Sequence, residues 1–177
     1  MTEWNPILRE HHEAALSWAL HCAGGDMSVA EDGLQSAYEA VLDGTARFDG
    51  RSSAKSFLFG VIRNKVRSQR RRSLWQWMLG LDGMSREVDL SQKPSQGAGV
   101  ERDARRQQLK EAREKLSPKQ QEVVELVFYH DLTIEEAAEA MSVGVGTART
   151  HYARAKERLR EELEEGETEW IAETTSA

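Results

Sequence analysis

Apolar residues recur along this chain at intervals of three and four, and nowhere in sustained alternation, so the pattern predicts helices throughout. Ile7, Ala14, Ala15, Leu16 and Trp18 mark the inner side of a first helix from about Pro6 to Cys22, which "CAGGDMS" breaks. Ser28, with Glu31 three residues on, forms a capping box that opens a second helix running to about Leu42. Leu34, Ala37, Tyr38 and Val41 fall at helical spacing within it. "DGTARFDGRSSA" is a loop by its Gly, Asp and Ser content. A third helix is predicted from Ala54 to Arg72, with Phe57, Leu58, Val61, Ile62 and Val66 facing inward.

The pattern then changes. "LWQWMLGLDGM" is apolar and aromatic, and its Trp75, Trp77, Met78, Leu79 and Leu81 either pack on a domain or meet a partner. "SREVDLSQKPSQGAGV" is polar and rich in breakers, as a flexible linker is. Helix returns from about Glu101 to Leu116. Ser117 then caps a helix with Pro118 at its first position and Gln120 closing a capping box, and Val123, Val124, Leu126 and Val127 form its core stripe. Thr133 and Glu136 make a second box before a short alanine-rich helix. After the turn "SVGVG", "TARTHYARAKERLREEL" buries Ala148, Tyr152, Ala155 and Leu159 and points Arg149, Thr150, Ala153 and Arg154 elsewhere. A short helix, a tight turn and a basic amphipathic helix make a helix-turn-helix, whose second helix reads base edges in the major groove. The fold class predicted is all-α, two small helical domains about a flexible joint from Asp82 to Val100, with the halves free to move or arranged by a partner.

Charge sharpens this picture. The net charge of −6 is a sum of opposed blocks. Residues 1–44 hold eight acids and one base, residues 45–72 nine bases and one acid, and residues 161–177 seven glutamates and no base. Six Lys/Arg fall between Arg63 and Arg72. Because salt screens charges beyond about 10 Å, such a local basic face can bind phosphates on a net acidic chain.

Other classes are disfavoured. With 39% hydrophobic and 31% charged residues the chain reads as globular. No apolar run approaches the ~18 residues a membrane span needs. The first residues carry acids and histidines ahead of the apolar part and do not read as a signal peptide, so a cytoplasmic location without membrane insertion is expected. The lone Cys22 excludes an intrachain disulfide. His11 and His12 point about 100° apart on a helix, and with His21 and Cys22 they form no repeated ligand spacing, so neither metal nor cofactor is expected. No nucleophile–base set or paired carboxylates stand out, so the chain is not expected to be an enzyme.

Two stretches carry a family likeness. "EEAAEAMSVGVGTARTHYARAKERL" resembles region 4 of bacterial RNA polymerase sigma factors of the extracytoplasmic-function (ECF) type. Glu136, Ala138, Gly146, Thr147, Arg149, Arg154, Ala155, Lys156 and Leu159 fit its pattern. Ser142 stands where a turn glycine is usual, Gly144 where a serine cap is usual, and His151 where an arginine is usual. "AEDGLQSAYEAVL" and "FDGRSSAKSFLFGVIRNKVRSQRRR" resemble region 2.

The resemblance implies a region 2-like domain over 1–76, a linker over 77–104, a region 4-like domain over 105–165 and an acidic tail over 166–177. It implies contacts to the promoter −10 element from Asp49, Arg51, Ser52, Ser53, Lys55, Ser56, Arg63, Asn64, Lys65, Arg67, Arg70 and Arg71, with Arg72 beside them. The loop before the basic helix would hold a flipped base, whose unstacking costs a few kcal/mol. Phe48, Phe57 and Phe59 read either as stacking platforms or as core. Gly146, Thr147, Arg149, Thr150, His151, Ala153 and Arg154 would meet the −35 element. Asp32, Gln35, Tyr38 and Glu39 would dock on the β′ clamp helices of core RNA polymerase, with the β flap as a further contact and an anti-sigma factor as regulator. Two rival readings are a helix-turn-helix regulator that binds duplex DNA, and a sigma-like module that titrates a partner without starting transcription.

Overall fold

The computed structural model describes the backbone of residues 3–78 and 100–175, and the side chains of residues 3–73 and 107–163. Every regular element among them is helical, as the spacing predicts.

The first half holds α1 (Trp4–Glu10), α2 (His12–Ala23), α3 (Met27–Leu42) and α4 (Ala54–Met78). The predicted first helix is in fact two. His11 leaves helical geometry at φ −103°, ψ 10°, and the resulting bend lays Trp4 against Phe48 and Phe57, with ring centroids 5.6 and 5.7 Å apart. Gly24 ends α2 in the left-handed region at φ 71°, and Gly25 N–H reaches back to the Leu20 carbonyl at 3.0 Å. The cap of α3 also differs from expectation. Asp26, not Ser28, accepts the Val29 N–H at 3.0 Å, so the helix begins before Ser28 and places it inside the first turn. No breaker separates Arg72 from Met78, and α4 continues to that residue. The side chains of Trp75, Trp77, Met78, Leu79 and Leu81 lie outside the described residues.

The core of this half is built on Trp18. Its ring is fully buried, and its Nε1 donates to the Phe59 carbonyl at 3.0 Å, which satisfies the one polar atom burial would otherwise orphan. α3 and α4 cross so closely that a Cβ at Gly33 would lie 2.5 Å from Val66 Cγ2.

The second half holds α5 (Val100–Glu114), α6 (Pro118–Val124), α7 (Ile134–Ala140) and α8 (Val145–Thr175). Both predicted capping boxes form, at Ser117 with Gln120 and at Thr133 with Glu136. A π-helical turn, Glu125–Tyr129, follows α6. It keeps Glu125 and Leu126 buried and leaves Phe128 and Tyr129 in solvent. Leu116, Val124 and Ala155 pack together with Tyr152 and Leu159, holding α6 against α8.

The two halves are not separate. One continuous apolar cluster runs from Leu8 in α1 to Ala148 in α8, and α4 packs along α7. A Cβ at Gly60 would meet Ala140 Cα at 3.5 Å. The breaker-rich joint predicts halves that move or are arranged by a partner; here they share one apolar cluster.

Candidate nucleic-acid interface

Phe59, Ile62 and Val66 anchor α4 in the core, and the helical period sends the intervening cations outward in part. Arg63, Asn64, Arg67, Arg70 and Arg71 line one cleft of about 610 Å³. Asn64, Arg70, Arg71 and Arg72 are exposed, and Lys65 and Arg67 are half-buried. Arg67, Arg70, Arg71 and the Asn64 amide make a surface suited to polyanions, because a guanidinium meets phosphate oxygens in a fork geometry.

In the loop before α4, Asp49 turns back on Arg51. Its carboxylate accepts the Arg51 N–H at 3.1 Å and pairs with Nε at 2.6 Å, and those bonds hold its carboxyl below the ordinary carboxylate range. Ser53 is exposed and Ser52 half-buried; the Ser53 hydroxyl accepts the Ser56 N–H at 3.1 Å and caps α4. Of the three phenylalanines, Phe59 lies wholly in the core. Phe48 and Phe57 sit with ring centroids 5.1 Å apart and planes tilted by 51°, beside Trp4.

Three residues that the family resemblance assigns to this surface lie between the halves. Ser56 is fully buried and donates to the Glu136 carbonyl at 2.7 Å. Lys55 donates to the His130 carbonyl at 2.5 Å. Arg63 is 4% exposed and grips Glu122 of α6 through Nε at 3.3 Å and Nη2 at 3.1 Å. Arg67 joins the same carboxylate, and Lys119 approaches it at 3.4 Å.

The helix-turn-helix places the residues expected at the −35 element outward. Gly146, Thr147, Arg149, Thr150, Ala153 and Arg154 are exposed, and His151 is half-buried. Thr150 donates to the Gly146 carbonyl at 2.9 Å. Arg149 pairs with Glu135 of α7 at 3.0 Å, which holds the guanidinium above the start of α8. On α3, Asp32, Gln35 and Glu39 share an exposed face, where Gln35 donates to Glu39 at 3.0 Å. Tyr38 is half-buried beside them, its hydroxyl 3.1 Å from His12 Nδ1, and burial raises its pKa.

Sequence reasoning missed a polar cluster at the boundary of the halves. His21 Nδ1 lies 3.7 Å from Glu125, Arg113 pairs with Glu125 at 2.8 Å, and His130 Nε2 lies 4.0 Å from it. Burial lowers both histidines to a pKa of about 4, with Arg113 adding to the effect at His21 and Lys55 at His130. Burial raises Glu125, against the pull of Arg113. Burial also pushes the Cys22 thiol up. No group of three or more His, Cys, Asp or Glu suited to a metal ion occurs among the described residues. The available signal spans α6 and the turn after it: Glu122 and Glu125 stand three apart, beside Val123 and Leu126 of the apolar stripe.

Two exposed cationic surfaces on an all-helical frame, one of them a helix-turn-helix, describe a DNA-directed protein. The sigma-70 region 2 family matches residues 7–76, and the sigma-70 region 4 family matches residues 106–159. Together these matches cover well over half of the chain, which belongs to the sigma-70 family of RNA polymerase sigma factors, in its ECF branch. The RNA polymerase sigma-E factor of Streptomyces antibioticus is 42% identical over 65 residues, 37% of this chain and 36% of that protein. The matched segment thus spans about a third of the curated relative. The sigma factor RpoE from Bartonella quintana, solved in complex with the anti-sigma factor NepR, superposes with a TM-score of 0.68 at 25% identity, covering 91% of this chain and 96% of that one. CnrH, solved with the cytosolic domain of CnrY, shares the fold at a TM-score of 0.58 and 20% identity, covering 91% and 87%.

Proposed function

We propose that this chain is an ECF-type sigma factor, which binds core RNA polymerase, carries it to promoters and helps open the −10 element for initiation. The observation that carries this reading is the pair of cationic surfaces: the arginine cleft along α4 and the exposed start of α8. A −10/−35 promoter needs two such surfaces on one chain. On α4, Arg67, Arg70 and Arg71 pair with phosphates and position the strand, while Asn64 offers donors and an acceptor to a base edge. On α8, Arg149 and Arg154 reach the major groove, where arginine is the commonest reader of guanine. The exposed face of α3 docks on the β′ clamp helices, and the second half meets the β flap. Catalysis belongs to the polymerase, in the cytoplasm. An anti-sigma factor covers the chain when it is inactive, a reading supported by the Bartonella relative, which was solved with one.

The test is transcription in vitro on a genomic promoter library, using bacterial core polymerase with and without this protein. The expected result is new start sites that share a two-part upstream motif. They should disappear with Arg70→Glu/Arg71→Glu and with Arg149→Glu/Arg154→Glu. No new starts despite core binding would overturn the reading in favour of a titrating regulator. Tight duplex binding without core binding would overturn it in favour of a simple helix-turn-helix regulator.

A further inference from the structure

We infer that Glu122 is a built-in rival to nucleic-acid phosphate: packing of the second half on the first sets its carboxylate in the arginine cleft of α4, so that packing and anion binding there exclude each other. Only the identity of the anion as promoter DNA rests on the proposed function.

The geometry is that of an anion site already filled. Arg63 meets Glu122 with two guanidinium nitrogens, at 3.3 and 3.1 Å, the fork by which arginine holds either a carboxylate or a phosphate. Arg67 and Lys119 share the same carboxylate, so three cations converge on one negative charge. The Arg63 and Glu122 side chains are each 5% exposed. No phosphate reaches Arg63 while Glu122 is in place, and a second anion beside Glu122 is repelled by it.

The cleft is also half empty. Arg70 and Arg71 continue it and make no ion pair with any described residue. Polyanion landing on them stands next to Glu122 and competes for Arg67, which is 38% exposed and, unlike the equally open Lys119, lies on α4 beside Arg70 and Arg71. The same packing engages Ser56 and Lys55 with carbonyls of the second half. Four side chains that the family resemblance assigns to strand binding are therefore occupied in the packed form and released together when the halves part.

The experiment is a distance measurement in the full chain, with spin labels on Glu31→Cys in α3 and Glu157→Cys in α8, both exposed positions. Cys22 is buried. The probe is a mixed-sequence single-stranded DNA of fixed length, whose affinity is read in parallel by fluorescence anisotropy. The free protein should give one narrow distance, which lengthens and broadens on saturation with the oligonucleotide. Glu122→Gln should show the open distribution without DNA. If the open form is about a tenth of the free protein, the variant should bind the oligonucleotide about tenfold tighter. An unchanged distance and affinity in Glu122→Gln overturns the inference, as does opening without tighter binding. Should the variant lose its helical circular dichroism, the unaltered chain decides: a distance that DNA at saturation does not move overturns the inference. No polymerase is present, so this outcome is independent of the transcription test.

Discussion

His21 Nδ1 of α2 lies 3.7 Å from the Glu125 carboxylate of the π-helical turn, across the boundary where the two halves meet. The groups around it are Arg113 of α5, Glu122 of α6, His130 beyond the turn and Arg67 of α4. His130 in turn faces Lys55 and Asp131 and the rings of Trp18 and Phe59, at 6.0 and 5.0 Å. Both imidazoles are packed in their neutral form.

Acid should therefore loosen this boundary. Each histidine has its pKa lowered from 6.5 to about 4 in the packed state, so the separated or unfolded state binds more protons between those values. Stability is fully present above the ordinary histidine pKa and is lost as pH falls toward 4. By pH 5 the loss is roughly 2 kcal/mol for each histidine. Glu125 works in the opposite sense, because its raised pKa favours the packed form once carboxylates begin to protonate. The check is urea unfolding between pH 7.5 and pH 5.5, above that range. The midpoint should fall with pH, and His21→Gln with His130→Gln should flatten the slope. Equal slopes in the variant and the unaltered chain would refute this assignment.

Gly33 should not tolerate alanine. Alanine in a helix interior ordinarily gains about 1 kcal/mol over glycine. Here the added Cβ would lie 2.5 Å from Val66 Cγ2 and 2.8 Å from Val66 Cα. The second neighbour is backbone, so α4 itself would have to move, and overpacking costs about 1–3 kcal/mol or more. Gly33→Ala is expected to lower stability by about 1–2 kcal/mol net. A melting temperature equal to or above that of the unaltered chain would sink the argument.

Ser142 should behave in the opposite way. It holds φ 55° in the turn between α7 and α8, where a side chain with a Cβ is strained by roughly 1–2 kcal/mol. Its N–H donates to the Glu139 carbonyl at 2.8 Å, so the turn is fixed. Glycine removes the strain but adds freedom to the unfolded chain, and Ser142→Gly is expected to gain about 0.5–1 kcal/mol. Ser142→Ala keeps the Cβ and should gain nothing. Thermal melting of the two variants side by side separates backbone strain from any role of the hydroxyl.

The parts of this fold legible in the sequence are those fixed by short-range chemistry. The boxes at Ser117 and Thr133 need only residues three apart, and the buried side of α8 follows from its period. The left-handed residue at Ser142 was visible as a departure from glycine. The break at His11 was not, because histidine is no helix breaker and the bend accompanies a tertiary contact, Trp4 against Phe48 and Phe57. The boundary between the halves was hidden for a different reason. Phe59, Ile62, Arg63 and Val66 follow the spacing of a buried stripe, but a cation in that stripe reads as solvent-facing until its carboxylate is known. That carboxylate, Glu122, is 59 residues away, across a linker whose composition predicts halves that move or are arranged by a partner.

The two cationic surfaces should differ in how they depend on salt and on sequence. Arg70 and Arg71 face the cleft without an ion pair among the described residues; on the proposed reading they contact phosphates, so Arg70→Ala/Arg71→Ala should weaken binding of every single-stranded oligonucleotide alike. Each lost contact should reduce the slope of log affinity against log salt by about 0.7. On the proposed reading Arg149 meets base edges, and its guanidinium is held by Glu135 at 3.0 Å. Arg149→Ala should cost about 1–3 kcal/mol on the preferred duplex and little on a mismatched one, because only the bidentate pair is lost. Glu135→Gln should relax the same preference without altering the salt slope, since it frees the guanidinium rather than removing it. Duplex affinities at several salt concentrations, on preferred and altered sites, test both surfaces. A uniform loss on all duplexes for Arg149→Ala would make that residue a phosphate contact and move base reading to Arg154.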